Sequence, residues 1–143
     1  MKASQIIEVL GLVPHPEGGH YRQTWIAEAD VDRPTGTCIY YLLKAGEASH
    51  WHRVDAAEIW HHYAGAELTL RIAETAQGPA ITHRLGPDLA SGARPQAIVP
   101  AHHWQAAKTT GEWSLVGCTV SPGFDFSGFE LAPDGFEIPS KTI

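Results

Sequence analysis

The sequence predicts an all-β domain, a sandwich or barrel of many short strands, with one short helix at its N-terminus. Three observations predict it. Short apolar or alternating runs recur at near-regular spacing along most of the chain. Turn formers separate them, with 14 Gly and 10 Pro among 143 residues. Only one segment, before the first glycine, reads as a helix.

The helix is expected over about 4–10. Ser4 serves as N-cap, and Ile6, Ile7, Val9 and Leu10 supply an apolar face. Gly11 ends the helix, and Pro14 and Pro16 prevent its resumption. Strands follow near 20–27, 36–44, 49–53, 57–64, 67–73, 79–84, 96–99, 103–108 and 113–120, with further strand near 127–131. The clearest loop is 85–95, rich in Gly, Pro, Asp and Ser. No repeat, low-complexity tract or linker interrupts the chain, so residues 1–143 form one domain, with the barrel at about 19–131.

Composition excludes several classes. The chain has 10 Lys+Arg against 16 Asp+Glu, a net charge of −6, so no basic stripe meets a nucleic-acid backbone. A 43% apolar content with modest charge is not that of a disordered chain. No apolar run approaches the roughly 20 residues of a membrane helix, and no signal-peptide core follows Met1. The expectation is a soluble, cytoplasmic protein. Cys38 and Cys118 sit in apolar, β-branched surroundings at no metal or redox spacing, and read as core thiols.

Nine histidines are the unusual feature. The densest polar cluster runs from Gly46 to Gly65. In a strand, residues two apart share a face, so His50 and His52 project together and Trp51 faces away. With Glu58 inward on the next strand, Trp60 and His62 share its face, and His61 and Tyr63 point outward. Two imidazoles and a carboxylate suit Zn, Fe, Mn or Ni. Spacing alone leaves two readings open: metal ligands, or strand histidines bonded to their neighbours.

Gly46-x3-His50-x-His52-x5-Glu58-x6-Gly65 resembles the first cupin motif, Gly-x5-His-x-His-x3,4-Glu-x6-Gly. The segment from Ile98 to Ala107 resembles the second, with Pro100 aligned; His102 stands where that motif has Gly, and Gln105 where it has a metal-ligand His. Pro14-His15-Pro16-Glu17-Gly18-Gly19, Tyr40-Tyr41-Leu42-Leu43, Glu58-Ile59-Trp60-His61 and the stretch Trp113 to Phe126 resemble one branch, the cupin-5 family of small RmlC-like proteins. The resemblance spans roughly residues 4–131. It implies a double-stranded β-helix (jelly-roll, cupin) barrel, commonly a homodimer, with a small-molecule pocket in its mouth. It implies no single reaction, because the fold hosts many.

Under that resemblance, His50, His52 and Glu58 hold a divalent metal, with Gln105 or His103 completing the shell. Gln105 is a poor replacement for imidazole at a borderline metal. His103 shares its strand parity, and His102 faces out. Without metal, His52 and Glu58 become an acid–base pair. Arg22, Tyr40, Trp60, His62 and His103 are the expected ligand contacts. Arg22 anchors a carboxylate or phosphate, or else makes a surface salt bridge. Trp60 stacks on a flat or sugar-like ligand, while Trp51 and Trp104 pack outward. Glu17-Gly18-Gly19 reads as a tight turn rather than a ligand loop. Phe124, Phe126, Phe129 and Phe136 read as packing on the barrel or a subunit interface.

Two functions stay open on the sequence. One is an enzyme, either metal-dependent and oxidising a small polar compound, or isomerase- or epimerase-like through His-based proton transfer. The other is a non-catalytic binder of a small ligand.

Overall fold

The computed structural model describes residues 1–28 and 32–140. One helix, α1 (Ala3–Leu10), precedes eleven strands: β1 (Val13–Pro14), β2 (His20–Ile26), β3 (Thr37–Lys44), β4 (Ser49–Val54), β5 (Ala57–Gly65), β6 (Leu68–Ala73), β7 (Ile81–Leu85), β8 (Gln96–Val99), β9 (Trp104–Thr109), β10 (Trp113–Ser121) and β11 (Phe129–Leu131). Two sheets form, in the orders β1-β2-β3-β10-β5-β8 and β11-β4-β9-β6-β7. All pairings between these strands are antiparallel. The result is the expected two-sheet β-sandwich with one short N-terminal helix.

The helix starts one position earlier than expected. Lys2 is the N-cap, and its backbone N–H donates to the Gln5 side chain at 2.7 Å; Ser4 lies inside the first turn. Gly11, at φ 66°, closes the helix in the left-handed conformation that glycine adopts without strain. Ile6, Ile7 and Leu10 pack with Leu12, Leu42 and Leu115 on the outer face of the six-stranded sheet, while Val9 points to solvent.

Side chains alternate across each strand, and the inward set fills the space between the sheets. Leu43, Leu68, Leu70, Leu85 and Val116 pack one end completely. At the other end the inward set mixes polar with apolar residues. Thr37, Val120 and Glu58 make one row across β3, β10 and β5; Ile39, Cys118 and Trp60 make the next, deeper row. This end is hollow.

The C-terminal segment crosses the outside of the five-stranded sheet as a strap. Arg71 donates to Glu137 at 2.6 Å, to the Ile138 carbonyl at 2.6 Å and to Ser140 at 2.9 Å. Trp51 and Trp104 do pack outward from the barrel, but the strap buries them together with Ala132, Phe136 and Ile138. Both cysteines are free; Cys118 is buried and Cys38 half-buried.

Candidate functional site

The hollow end encloses a cavity of about 330 Å³. Its floor is built from three segments that sequence spacing does not connect. The first is the turn His15–Gly19, where Gly18 N–H donates to the His15 carbonyl at 3.0 Å. Gly18 sits at φ 108°, and a Cβ there would fall 2.0 Å from the Ala48 carbonyl oxygen, so the turn presses flat against the start of β4. His50 N–H donates to the Glu17 carbonyl at 2.8 Å and ties the two together. His15 and Glu17, two residues apart, both point inward and are buried.

The second segment is β4. Its register shifts between Ser49 and His52, so both point inward although they are three apart. Ser49 Oγ donates to Glu17 Oε2. His52 Nδ1–H donates to the His50 carbonyl at 2.7 Å, because only a ring N–H can meet a carbonyl oxygen. That leaves Nε2 as the ring's free edge, 3.3 Å from Glu17 Oε2. Phe129 lies against the His52 ring with centroids 5.5 Å apart.

The third is Glu58 on β5. Gln105 Nε2 donates to Glu58 Oε1 at 2.9 Å, and Trp60 Nε1–H donates to Gln105 Oε1 at 2.8 Å. The indole N–H is a donor only, which fixes the amide: oxygen toward Trp60, NH₂ toward Glu58.

Burial dominates the electrostatics. It pushes Glu58 up to about 7 from 4.5, against the opposing pull of His52. Burial also raises Glu17, opposed by His15 and by the hydrogen bond from Ser49. Burial lowers His52, opposed by Glu58 and the His50 carbonyl, and lowers His15, opposed by Glu17. Burial thus drives both members of the Glu17–His52 contact toward their neutral forms. Cys118 faces the same cavity, and burial followed by the charge of Glu58 pushes its thiol well up.

Of the residues expected at the site, His52 and Glu58 meet in the cavity. His50 does not join them. The bulge in β4 rotates it outward, where its Nε2 lies 3.2 Å from the Pro133 carbonyl. Gln105 is inward but locked between Trp60 and Glu58. Trp60 is buried behind Glu58 and presents no open face. His62 Nε2 lies 3.1 Å from the Ala66 carbonyl, away from the cavity. Tyr40 packs outside, edge-on to Tyr63 at 6.3 Å. Arg22 turns out of the barrel and donates to the Leu10 carbonyl at 3.3 Å. His103 follows the turn before β9 and does not line the cavity.

Sequence reasoning missed His15, Glu17 and Ser49, and the rim. Tyr21, Phe124 and Phe126 line the mouth, so part of the aromatic tail is cavity wall. Phe136 packs on Trp104, centroids 5.0 Å apart. The available signal was the His15-x-Glu17 alternation beside two glycines.

The metal set that the resemblance implies does not fit this geometry. His50 faces away, and Gln105 turns its NH₂ rather than its oxygen toward Glu58. Among the described residues no three His, Cys, Asp or Glu side chains stand in a metal-binding arrangement.

The Cupin_5 profile, described as Cupin superfamily (DUF985), matches residues 4–132. The chain belongs to the Cupin_5 family. A crystal structure of a protein from Shewanella oneidensis is 42% identical, with a TM-score of 0.87, covering 92% of this chain and 85% of that one. A hypothetical protein from Leishmania major is 30% identical, with a TM-score of 0.86, covering 95% and 90%. An oxalate decarboxylase from Bacillus subtilis is 14% identical, with a TM-score of 0.64, covering 82% of this chain and 29% of that one; this likeness shows the cupin fold alone. No curated protein matches the chain. Among the described residues no helix is long and apolar enough to cross a membrane.

Proposed function

We propose that this cupin domain is a metal-independent enzyme that moves protons on a small polar molecule, in the manner of an isomerase or epimerase. One observation carries the reading. His52 is pinned through Nδ1–H to the His50 carbonyl, and its Nε2 is held 3.3 Å from a buried carboxyl, Glu17, in a cavity that also holds Glu58. Two carboxyls in different surroundings then take different roles. Glu58, brought to about 7, accepts a proton near neutral pH. Glu17, whose carboxyl burial pushes up, is the acid that donates one, and the proton that Glu58 has taken returns to Glu17 through the lone pair of His52 Nε2. Ser49 orients the Glu17 carboxyl, and Gln105 orients that of Glu58.

The test is hydrogen exchange at carbon. The protein is incubated in D₂O with a panel of reducing sugars and amino sugars, and loss of C–H signal is followed by proton NMR. At least one compound exchanges, and His52→Gln and Glu17→Gln each slow that exchange by about 100-fold or more. A compound that raises Tm without exchanging supports the non-catalytic binder instead.

A homodimer is part of the proposal. Trp25, Cys38, Thr119, Ile59 and Ile98 form one continuous row on the outer face of the six-stranded sheet. Trp25 is 55% exposed and Ile98 63%, and a second copy of the row covers both.

A further inference from the structure

We propose that the cavity takes an organic cation: a protonated amine on a small carbon frame, with a hydroxyl next to it. This deepens the proton-transfer reading by naming the ligand class, and it rests on the same cavity being the ligand site.

Charge at the wall is the first argument. Three acidic residues line the cavity, Glu17, Glu58 and Asp125, and among the described residues no Lys or Arg does. Arg22 is turned away onto the Leu10 carbonyl. Arg33 is committed to Asp55 at 2.7 Å and to the Gly123 carbonyl at 2.8 Å. A carboxylate or phosphate would enter a cavity with no fixed positive charge, and its desolvation would go uncompensated. An ammonium meets carboxyl oxygens instead.

The rim is the second argument. Tyr21, Phe124 and Phe126 line the mouth, and Phe124 meets Phe126 edge-on with centroids 4.8 Å apart. Aromatic faces attract a partly desolvated cation. Asp125 lies between the two phenylalanines, held ionised by the Ser127 N–H.

His15 is the third. It is 8% exposed and lines the cavity. Glu17 N–H donates to its Nδ1 at 3.1 Å, so Nδ1 carries the lone pair and the proton sits on Nε2. Nε2–H has no partner among the described residues. A ligand hydroxyl oxygen satisfies it.

Cation binding is therefore linked to proton release. The groups facing Glu58 are His52 from β4, Glu17 from the turn, Gln105 from β9 and Cys118 from β10. Below neutral pH the carboxyl is protonated, and the ammonium must displace that proton. With Glu58 titrating at about 7, affinity rises about tenfold from pH 6 to pH 8.

The experiment is isothermal titration calorimetry on the full chain with three probes of one shape: 2-aminocyclohexanol, cyclohexane-1,2-diol and 2-hydroxycyclohexanecarboxylate. The aminocyclohexanol binds about tenfold or more tighter than the diol, and the carboxylate does not bind. Its heat depends on buffer ionisation, showing proton release at pH 7. Glu58→Gln abolishes that release and weakens amine binding about tenfold. Asp125→Asn, whose side-chain oxygen can still accept from the Ser127 N–H, weakens it several-fold. Equal or tighter diol binding, carboxylate binding, amine binding without proton release, or no binding of any probe at about 10 mM each overturns the inference. Amine binding without C–H exchange keeps this inference and removes the catalyst. Exchange of neutral sugars without amine binding does the reverse.

Discussion

Glu58 links the hollow end of the barrel to the stability of the whole chain. Folded, it keeps its proton to about pH 7; its ordinary value is 4.5. Between those values the native state binds more protons than the unfolded chain, so stability falls as pH rises through the window and is level above it. The size is on the order of 3 kcal/mol. His15 and His52 act in the opposite sense. Their folded values are depressed below 6.5, so their contribution rises with pH up to that point. Glu58→Gln removes only the first effect. Urea denaturation at pH 5 and pH 8 should show the variant gaining on wild type by about 3 kcal/mol as pH rises; a constant difference contradicts it. Gln105→Leu strands both the Trp60 N–H and Glu58, and should cost about 1–3 kcal/mol in the same assay. His52 and Glu58 were legible in the sequence because they stand in the motif-like run Gly46-x3-His50-x-His52-x5-Glu58-x6-Gly65. His15 and Glu17 were not, because Pro, Glu and two glycines in succession read as a turn. They do form a turn, and the turn carries the site.

Elements were more legible than residues. Strands β2 through β10 fall where alternation and turn formers put them, because burial on one face leaves a period-two signal. β1 was missed: two residues, one of them Pro, carry no period. The bulge in β4 was also invisible, since it leaves composition unchanged while reversing the side on which His50 emerges. Two predictions belong at this scale. Gly18→Ala puts a methyl against the Ala48 carbonyl in a left-handed conformation. It should cost about 3 kcal/mol by urea denaturation and displace Glu17, so that cavity binding falls with stability. Arg71→Ala releases the strap: amides of residues 132–138 should exchange with solvent faster, while those of β5 and β10 stay protected.

Over the whole molecule, one end of the sandwich is packed with leucine and the other holds buried acid, imidazole and thiol groups. That asymmetry explains the histidine surplus only in part. Two of the nine, His15 and His52, line the cavity, while His61 and His62 bond to Thr119 and to the Ala66 carbonyl. The outer row of the six-stranded sheet gives the oligomer prediction. Sedimentation at micromolar concentration should show a dimer, and Ile98→Lys should turn it to monomer without changing cavity binding. The central claim is that His52 is neutral, with its proton on Nδ1 and Nε2 open toward Glu17. Nitrogen-15 NMR of the imidazole at pH 7 measures this directly. A protonated Nδ1 and an unprotonated Nε2 on His52 agree with the account; a proton on Nε2, alone or as imidazolium, contradicts it.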